Sequence, residues 1–287
     1  MAKWVIWAKV EEILMVSRNK ILSIILSLFC LLNMSACQSF NSNLTIYCFQ
    51  AGKADAFLIT TDNYTVLLDT AESSFSDDIL DYLNEKNIES IDYMIITHFD
   101  KDHVGGAGNI LKEIDVKHIY QSNYPKDSKE YEKYLKFINK KNIEVTTVSD
   151  DITLNLDGIQ FIINGPKQVE YEKDPSNNSS LIVSIFDNDI SYLFMGDSED
   201  SRINEFIADN ANTYNLIKIP YHGHYQDSLE ILLDQTNPEY ALITSSDEEK
   251  EDDETISLLN ANNIHTLLTR ENALTIQTDG TKIKITQ

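Results

Sequence analysis

The 287-residue chain is short of cysteine, proline, glycine, tryptophan and positive charge, with three, five, nine and two residues of the first four types. Its 23 Lys and Arg face 46 Asp and Glu, for a formal charge of −23. So few cations cannot displace the counterions of a nucleic-acid backbone on their own, which argues against casual polyanion binding and makes cations the natural partners of this surface. No stretch is rich in Pro, Gly or Ser, so residues 38–287 read as one domain with no linker. There is no Gly-x-Ser-x-Gly and no P-loop pattern, so neither a strand-to-helix serine nucleophile nor a glycine-rich phosphate cradle is expected. The longest apolar run, Ile21–Leu32, falls short of the about 20 residues of a comfortable membrane span. What remains, 42% hydrophobic and 24% charged residues, is globular composition with material for a sizeable core.

The first 40 residues form an address. Arg18 and Lys20 precede the apolar run, and Met34-Ser35-Ala36-Cys37 follows it. A basic flank, a short apolar stretch and small residues make a secretory signal. The Ser-Ala-Cys ending resembles a bacterial lipobox, which implies lipidation of Cys37 as the mature first residue and a protein anchored on the outer face of a bacterial membrane. A secreted form and an uncleaved single-pass anchor are the alternatives. Met15, just before the basic flank, is an alternative start. Removing residues 1–36 takes four basic and two acidic residues, leaving 19 against 44 and a net charge of −25. Cys30 leaves with the signal, so Cys48 stands alone in a predicted strand, a buried thiol without a disulfide partner.

The body repeats its own plan. Leu44–Phe49, Ala56–Thr60 and Thr65–Asp69 read as strands, the last two joined at Asp62-Asn63. Ser76 is placed to cap a helix running to Lys86, and Tyr93–Thr97 is a strand that runs into His98. In the second half, Ser180–Phe186 and Ile190–Met195 flank an Asp187-Asn188 turn, a helix starts near Asp200, and Asn215–Ile219 runs into Tyr221-His222-Gly223. Each half thus contains strand, turn, strand ending in Asp, helix, strand ending in His. The expected fold is α/β: two mixed sheets face to face with helices outside, and ligands gathered at strand ends along one edge. Ser128–Lys140 reads as a surface helix between the halves, and Ile159–Ile163 as a further strand.

The densest chemistry lies in Thr97-His98-Phe99-Asp100-Lys101-Asp102-His103-Val104-Gly105-Gly106. Four candidate metal ligands fall within six positions directly after a buried strand, and imidazoles with carboxylates suit zinc, manganese or iron. A solvated polar loop is the alternative. The segment resembles the His-x-His-x-Asp-His signature of the metallo-β-lactamase superfamily, and its Asp100 variant looks like the hydrolase domain of ComEC-type competence proteins. Other motifs follow in the same order: Gly52-Lys53-Ala54-Asp55-Ala56, Leu68-Asp69-Thr70, Asn178-Ser179-Ser180-Leu181, Gly196-Asp197 and Tyr221-His222-Gly223.

That resemblance implies a four-layer αβ/βα sandwich with one or two divalent ions at its edge, zinc first and manganese second. One ion would be held by His98 and Asp100, the other by Asp102, His103 and His222, with Asp197 bridging. Asn178 stands where many members carry a third histidine, and Asn178 and Ser180 are implied to border the pocket. Asp69 is expected to orient a ligand from behind, or else to cap a strand end. His224, where serine is commoner, is a proton donor to a leaving group or simply solvated. His118 and His265 lie outside every motif and read as structural.

The implied activity is hydrolysis. Divalent ions bring the pKa of water from about 15.7 to near 7 in the best case, so hydroxide becomes available at neutral pH. Asp102 is expected to orient that nucleophile. The expected substrate is a small phosphodiester or related ester. A ComEC-like nuclease ranks behind it, because Asp247–Glu254 carries seven acids and one lysine beside the implied site and would repel nucleic acid. The competing reading is a surface lipoprotein that binds a metal or partner without turnover.

Overall fold

The computed structural model describes residues 43–287. The segment expected to be a secretory signal, the lipobox-like Cys37 and the alternative start at Met15 lie outside the described residues. Among those described, no helix is long and apolar enough to cross a membrane.

The chain opens with three antiparallel strands, β1 (Leu44–Cys48), β2 (Phe57–Thr60) and β3 (Thr65–Leu68), the last two meeting at the Asp62-Asn63 turn. Helix α1 (Ser76–Glu85) then crosses to β4 (Ser90–Ile96), which lies parallel to β3. Two short helices, α2 (Lys101–Val104) and α3 (Ala107–Glu113), lead to β5 (Asp115–Gln121), and α4 (Lys129–Lys141) leads to β6 (Glu144–Thr147), both parallel additions. The second sheet repeats this grammar. The antiparallel run β7 (Ile152–Leu156), β8 (Ile159–Asn164), β9 (Ile182–Asp187) and β10 (Ile190–Phe194), with the one-turn helix α5 (Pro175–Asn178) before β9, comes first. The parallel strands β11 (Leu216–Lys218), β12 (Tyr240–Ile243) and β13 (His265–Leu268) follow, reached through α6 (Asp200–Asp209), α7 (Leu229–Thr236) and α8 (Asp253–Ala261).

One feature departs from two self-contained halves. The last strands, β14 (Leu274–Thr278) and β15 (Ile283–Thr286), return to the first sheet, where β14 pairs antiparallel with β1. The eight-stranded sheet therefore runs β15-β14-β1-β2-β3-β4-β5-β6, and the seven-stranded sheet β13-β12-β11-β10-β9-β8-β7. Without β14, the alternating burial of β1 would face an open edge.

Four layers follow from three apolar clusters. Ile46, Phe57, Leu68 and Ile95 of the first sheet meet Phe161, Val183, Tyr192 and Phe194 of the second, with the Phe57 and Phe194 rings 5.0 Å apart. Outside the first sheet, Leu67, Met94 and Ile96 pack under Ile79, Leu83, Ile110 and Phe137 of the helices. Outside the second, Leu193, Ile217 and Ala241 pack under Ile203, Phe206, Leu232 and Leu259. Strands buried on both faces read as continuous apolar runs, which is why β4, β9 and β10 were so visible in the sequence.

Boundaries moved by up to three residues, the largest shift being the start of β4 at Ser90 rather than Tyr93. Ser76 is the first residue of α1 rather than its cap, and its hydroxyl donates to the Ser73 carbonyl. Ser128 does cap α4, accepting from the Tyr131 amide at 3.2 Å. Cys48 is a buried free thiol whose pKa burial pushes up, which makes it a poor nucleophile.

Candidate metal centre

The site forms where parallel strands of both sheets end on one edge. β3 delivers Asp69, its neighbour β4 delivers Thr97 and His98, β10 delivers Gly196 and Asp197, and its neighbour β11 delivers Lys218 and then His222. The Leu181 amide donates to the Thr97 carbonyl at 2.9 Å, tying the sheets together at this edge. Three non-glycine residues of the rim, Asp69, Tyr221 and His222, have φ of 55°, 49° and 53°. Left-handed backbone at such residues is held only where surrounding contacts over-determine it. Gly196 also has positive φ (54°), and at Gly106 a Cβ would lie 2.3 Å from the Thr70 carbonyl oxygen, so the loop bearing His103 packs against β3 only without a side chain there.

Asp102, His103, Asp197 and His222 each offer a ligand atom within 4.8 Å of the others, and all but Asp102 are buried. Asp197 Oδ2 lies 3.0 Å from His222 Nε2 and 3.2 Å from His103 Nε2, and Asp102 Oδ2 lies 3.6 Å from His222 Nε2. The Nε2 atoms of His98, His103 and His222 are buried without a hydrogen-bond partner.

The Nδ1 atoms explain this orientation. Asp69 accepts from the Thr97 amide at 2.8 Å and the Thr97 hydroxyl at 2.7 Å, and its Oδ2 lies 2.8 Å from His103 Nδ1. His222 Nδ1 is 3.0 Å from the Thr244 hydroxyl, which donates to Asp55 Oδ1 at 2.6 Å. His98 Nδ1 lies 3.2 Å from Thr97 Oγ1 and 3.4 Å from Ser180 Oγ, and that serine oxygen accepts from the Asp197 amide at 3.2 Å. Each ring is therefore held by Nδ1 with Nε2 turned inward, the arrangement by which outer partners fix a metal-binding imidazole.

The charges fit a cation. Burial disfavours charge on His103, yet Asp197 and Asp69 outweigh it and raise its pKa well above the usual value. His222 is raised in the same contest, again through Asp197. Burial would raise Asp197, but His222, His103 and Lys218 hold it well below the carboxylate range. His98 is lowered to about 4 by burial and by the charge of His103, so near neutral pH it is the neutral, ligating form. Imidazole nitrogens turned toward ionised carboxylates form a donor set that a divalent ion of zinc type fits.

The other sequence candidates fall as follows. Asp100 borders the cluster, with Oδ1 3.9 Å from His98 Nε2, and it is engaged by Lys126 and Ser176. Asn178 faces away. Its Nδ2 donates to the Lys173 and Asp174 carbonyls and its Oδ1 accepts from the Arg202 amide, so it organises the start of α6. His224 sits on the rim, Nδ1 3.3 Å from Asp252 Oδ1 and its ring 4.9 Å from that of Tyr221. His118 lies on β5 against Thr146, and His265 starts β13.

Sequence reading missed four groups. Asp55 falls in the Gly52–Ala56 motif, and it is buried between His222, His103 and Lys218. Lys218 is fully buried, and its signal was a lone cation in the apolar run Leu216–Ile219. Lys126 neutralises Asp100. Glu199, beside the site, has its carboxyl pushed up to about 7, chiefly by burial and further by Asp174, against a hydrogen bond from Asn177. The acidic segment is also tied down: Glu249 pairs with Lys53 at 2.9 Å, Glu251 with Arg270 at 3.2 Å, and Asp252 accepts from the Tyr225 amide at 2.9 Å.

An αβ/βα sandwich with a histidine–carboxylate cluster at its edge is the arrangement of the metallo-β-lactamase fold. The chain belongs to the metallo-beta-lactamase superfamily, whose family model matches residues 50–245. It is 27% identical over 206 residues to ComE operon protein 3 of Bacillus subtilis, covering 69% of this chain and 26% of that protein. It is 30% identical over 202 residues to Recombination protein 2 of Haemophilus influenzae, covering 68% and 23%. The chain thus spans about a quarter of the length of these relatives, and it is similar to the ComEC-type competence proteins, as the motif order had indicated. Among solved structures, the metallo-beta-lactamase fold protein YhfI of Bacillus subtilis superposes with a TM-score of 0.54 at 11% identity over 85% of this chain and 99% of its own. CmlA, a diiron beta-hydroxylase from Streptomyces venezuelae, gives 0.52 at 14% over 82% and 54%. Members of this fold bind one or two metal ions.

Asp69→Asn is expected to weaken zinc binding by about 10–100-fold, because His103 loses the charged acceptor that orients it. Competition against a chromophoric chelator checks this, and unchanged affinity would leave Asp69 as a strand-end cap.

Proposed function

We propose that this chain is a metal-dependent hydrolase of small phosphodiesters or related esters. The observation that carries this reading is the convergence of Asp102, His103, Asp197 and His222, each with a ligand atom within 4.8 Å of the others and all but Asp102 buried. Asp102, His103, Asp197 and His222 would hold one divalent ion, zinc first and manganese second, and His98 with Asp100 would complete a second position beside it. Bound ions supply a nucleophile from water at neutral pH and stabilise charge developing on oxygen. The chain's own groups do the rest. Asp102, the least buried of the four, orients the attacking water. Asp69 and Asp55 hold the imidazoles. His224, backed by Asp252, delivers a proton to the leaving group. His224→Ala is then expected to lower kcat by about 10²-fold, with metal content unchanged. Bis-p-nitrophenyl phosphate turnover with metal analysis checks it.

The tethered acidic segment favours a small substrate over a nuclease role. Glu248→Lys with Glu254→Lys is expected to raise affinity for single-stranded DNA at low salt by about tenfold or more, an effect that fades as salt rises. Fluorescence anisotropy measures it, and tight DNA binding by the unmodified chain would reverse the ranking. A second reading, a metal-binding lipoprotein without turnover, is favoured by Asn178 facing away and by Lys126 holding Asp100. Metal uptake without hydrolysis across zinc, manganese and pH would select it. We also propose export and lipid attachment at Cys37, which metabolic labelling with a fatty-acid analogue and a Cys37→Ala control would test.

A further inference from the structure

Lys218 has no place in the ligand scheme, yet it is the most enclosed cation of the site. Its side chain is fully buried, and Nζ lies 2.6 Å from Asp55 Oδ2, 2.9 Å from the Gly196 carbonyl and 3.5 Å from Asp197 Oδ1. Asp55 in turn accepts from Thr244, which contacts His222 Nδ1. One ammonium group therefore reaches two candidate ligands by separate routes, Asp197 directly and His222 through Asp55 and Thr244. Packing does not call for a charge here, since an apolar side chain of similar volume would fill the space without being stripped of water. Asp69 makes an analogous connection on the other side, through Thr97 and His103.

We propose that Lys218 is a resident cation of the metal centre, a positioning residue that offsets Asp55 and holds the Asp197 carboxylate in its ligating place whether or not an ion is bound. The proposal rests on the metal-centre reading above. Its consequence is a trade. The lysine keeps the carboxylate cluster assembled in the metal-free protein, and it weakens the grip on the ion through repulsion across a few ångströms of low-dielectric interior. Lys218 and Asp55, although paired, should therefore change metal affinity in opposite directions. A pair that merely supported the fold would change it in the same direction.

The test uses the full chain in mild detergent. Zinc affinity is read at pH 8 by competition with a chromophoric chelator, and the unfolding midpoint of the metal-free protein is read by circular dichroism. Lys218→Met is expected to bind zinc about tenfold more tightly or better, with a lower metal-free midpoint. Asp55→Asn is expected to bind about tenfold more weakly, because Lys218 then acts on Asp197 and the ion unopposed. Lys218→Arg should stay near the unmodified protein. If Lys218→Met alone does not fold, adding it to Asp55→Asn asks the same question, and it should restore most of the lost affinity. Weaker binding by both single variants, in step with their loss of stability, would overturn the proposal. So would failure of the double variant to regain affinity. If the unmodified chain took up neither zinc nor manganese, the metal reading itself would fall and this proposal with it.

Discussion

Asp197→Ala is expected to reduce turnover of a phosphodiester substrate by about 10²–10³-fold or more and to leave the purified chain depleted of metal. Asp197 is the hinge of the centre. Its Oδ2 lies within 3.2 Å of the Nε2 atoms of both His103 and His222, and its Oδ1 faces Lys218. No other carboxylate of the cluster meets two imidazoles at such range, so its removal separates the ligands of the first sheet from those of the second. Asp197→Asn refines the result: the shape is kept and the charge is lost, so affinity should fall while the fold stays intact. Metal analysis alongside bis-p-nitrophenyl phosphate turnover measures both. Full metal content with full activity in the alanine variant would sink the assignment of this residue.

The second large effect is on stability. Arg202→Ala is expected to cost about 3–5 kcal/mol, because it deletes a buried, paired charge and strands its partners. The Arg202 side chain is fully buried. Nε donates to the Ser180 carbonyl at 3.1 Å, one terminal nitrogen to Glu205 at 2.9 Å, and the other to the Asn164 carbonyl at 2.9 Å and its side-chain oxygen at 2.7 Å. It thereby connects α6, the end of β8 and the segment that carries Ser180 toward His98. Against a typical net stability of about 5–15 kcal/mol, that loss is about a fifth of the margin or more. Urea unfolding of the metal-free protein reads it directly. A change within about 0.5 kcal/mol would mean that the stranded groups find new partners. The variant should also disturb the site, since Ser180 contacts both His98 and the Asp197 amide.

Much was legible in the chain because several segments carry strong local signals. β4, β9 and β10 are apolar runs bounded by polar turns, and α4 has both a capping serine and an apolar stripe of Tyr134, Phe137 and Ile138. The clustering of His98, Asp100, Asp102 and His103 is local too, so the eye finds it without a fold. The return of β14 to β1 was not legible. Its pairing spans most of the chain, and nothing in the segment Leu274–Thr278 says which edge it will meet.

By itself, then, the sequence determined the layered α/β plan, the strand-end placement of Asp69, His98, Asp197 and His222, and the family to which the chain belongs. These are properties of short-range pattern and motif order. The tertiary structure alone decided which side chains meet. It turned Asp102, His103, Asp197 and His222 to one point, gave Asp100 to Lys126, and turned Asn178 toward α6. It also sank Lys218 and Asp55 beneath the cluster. Contacts between residues more than 150 positions apart, such as Asp55 with Lys218 and Thr244, depend on how two sheets close on each other, and no local periodicity encodes that.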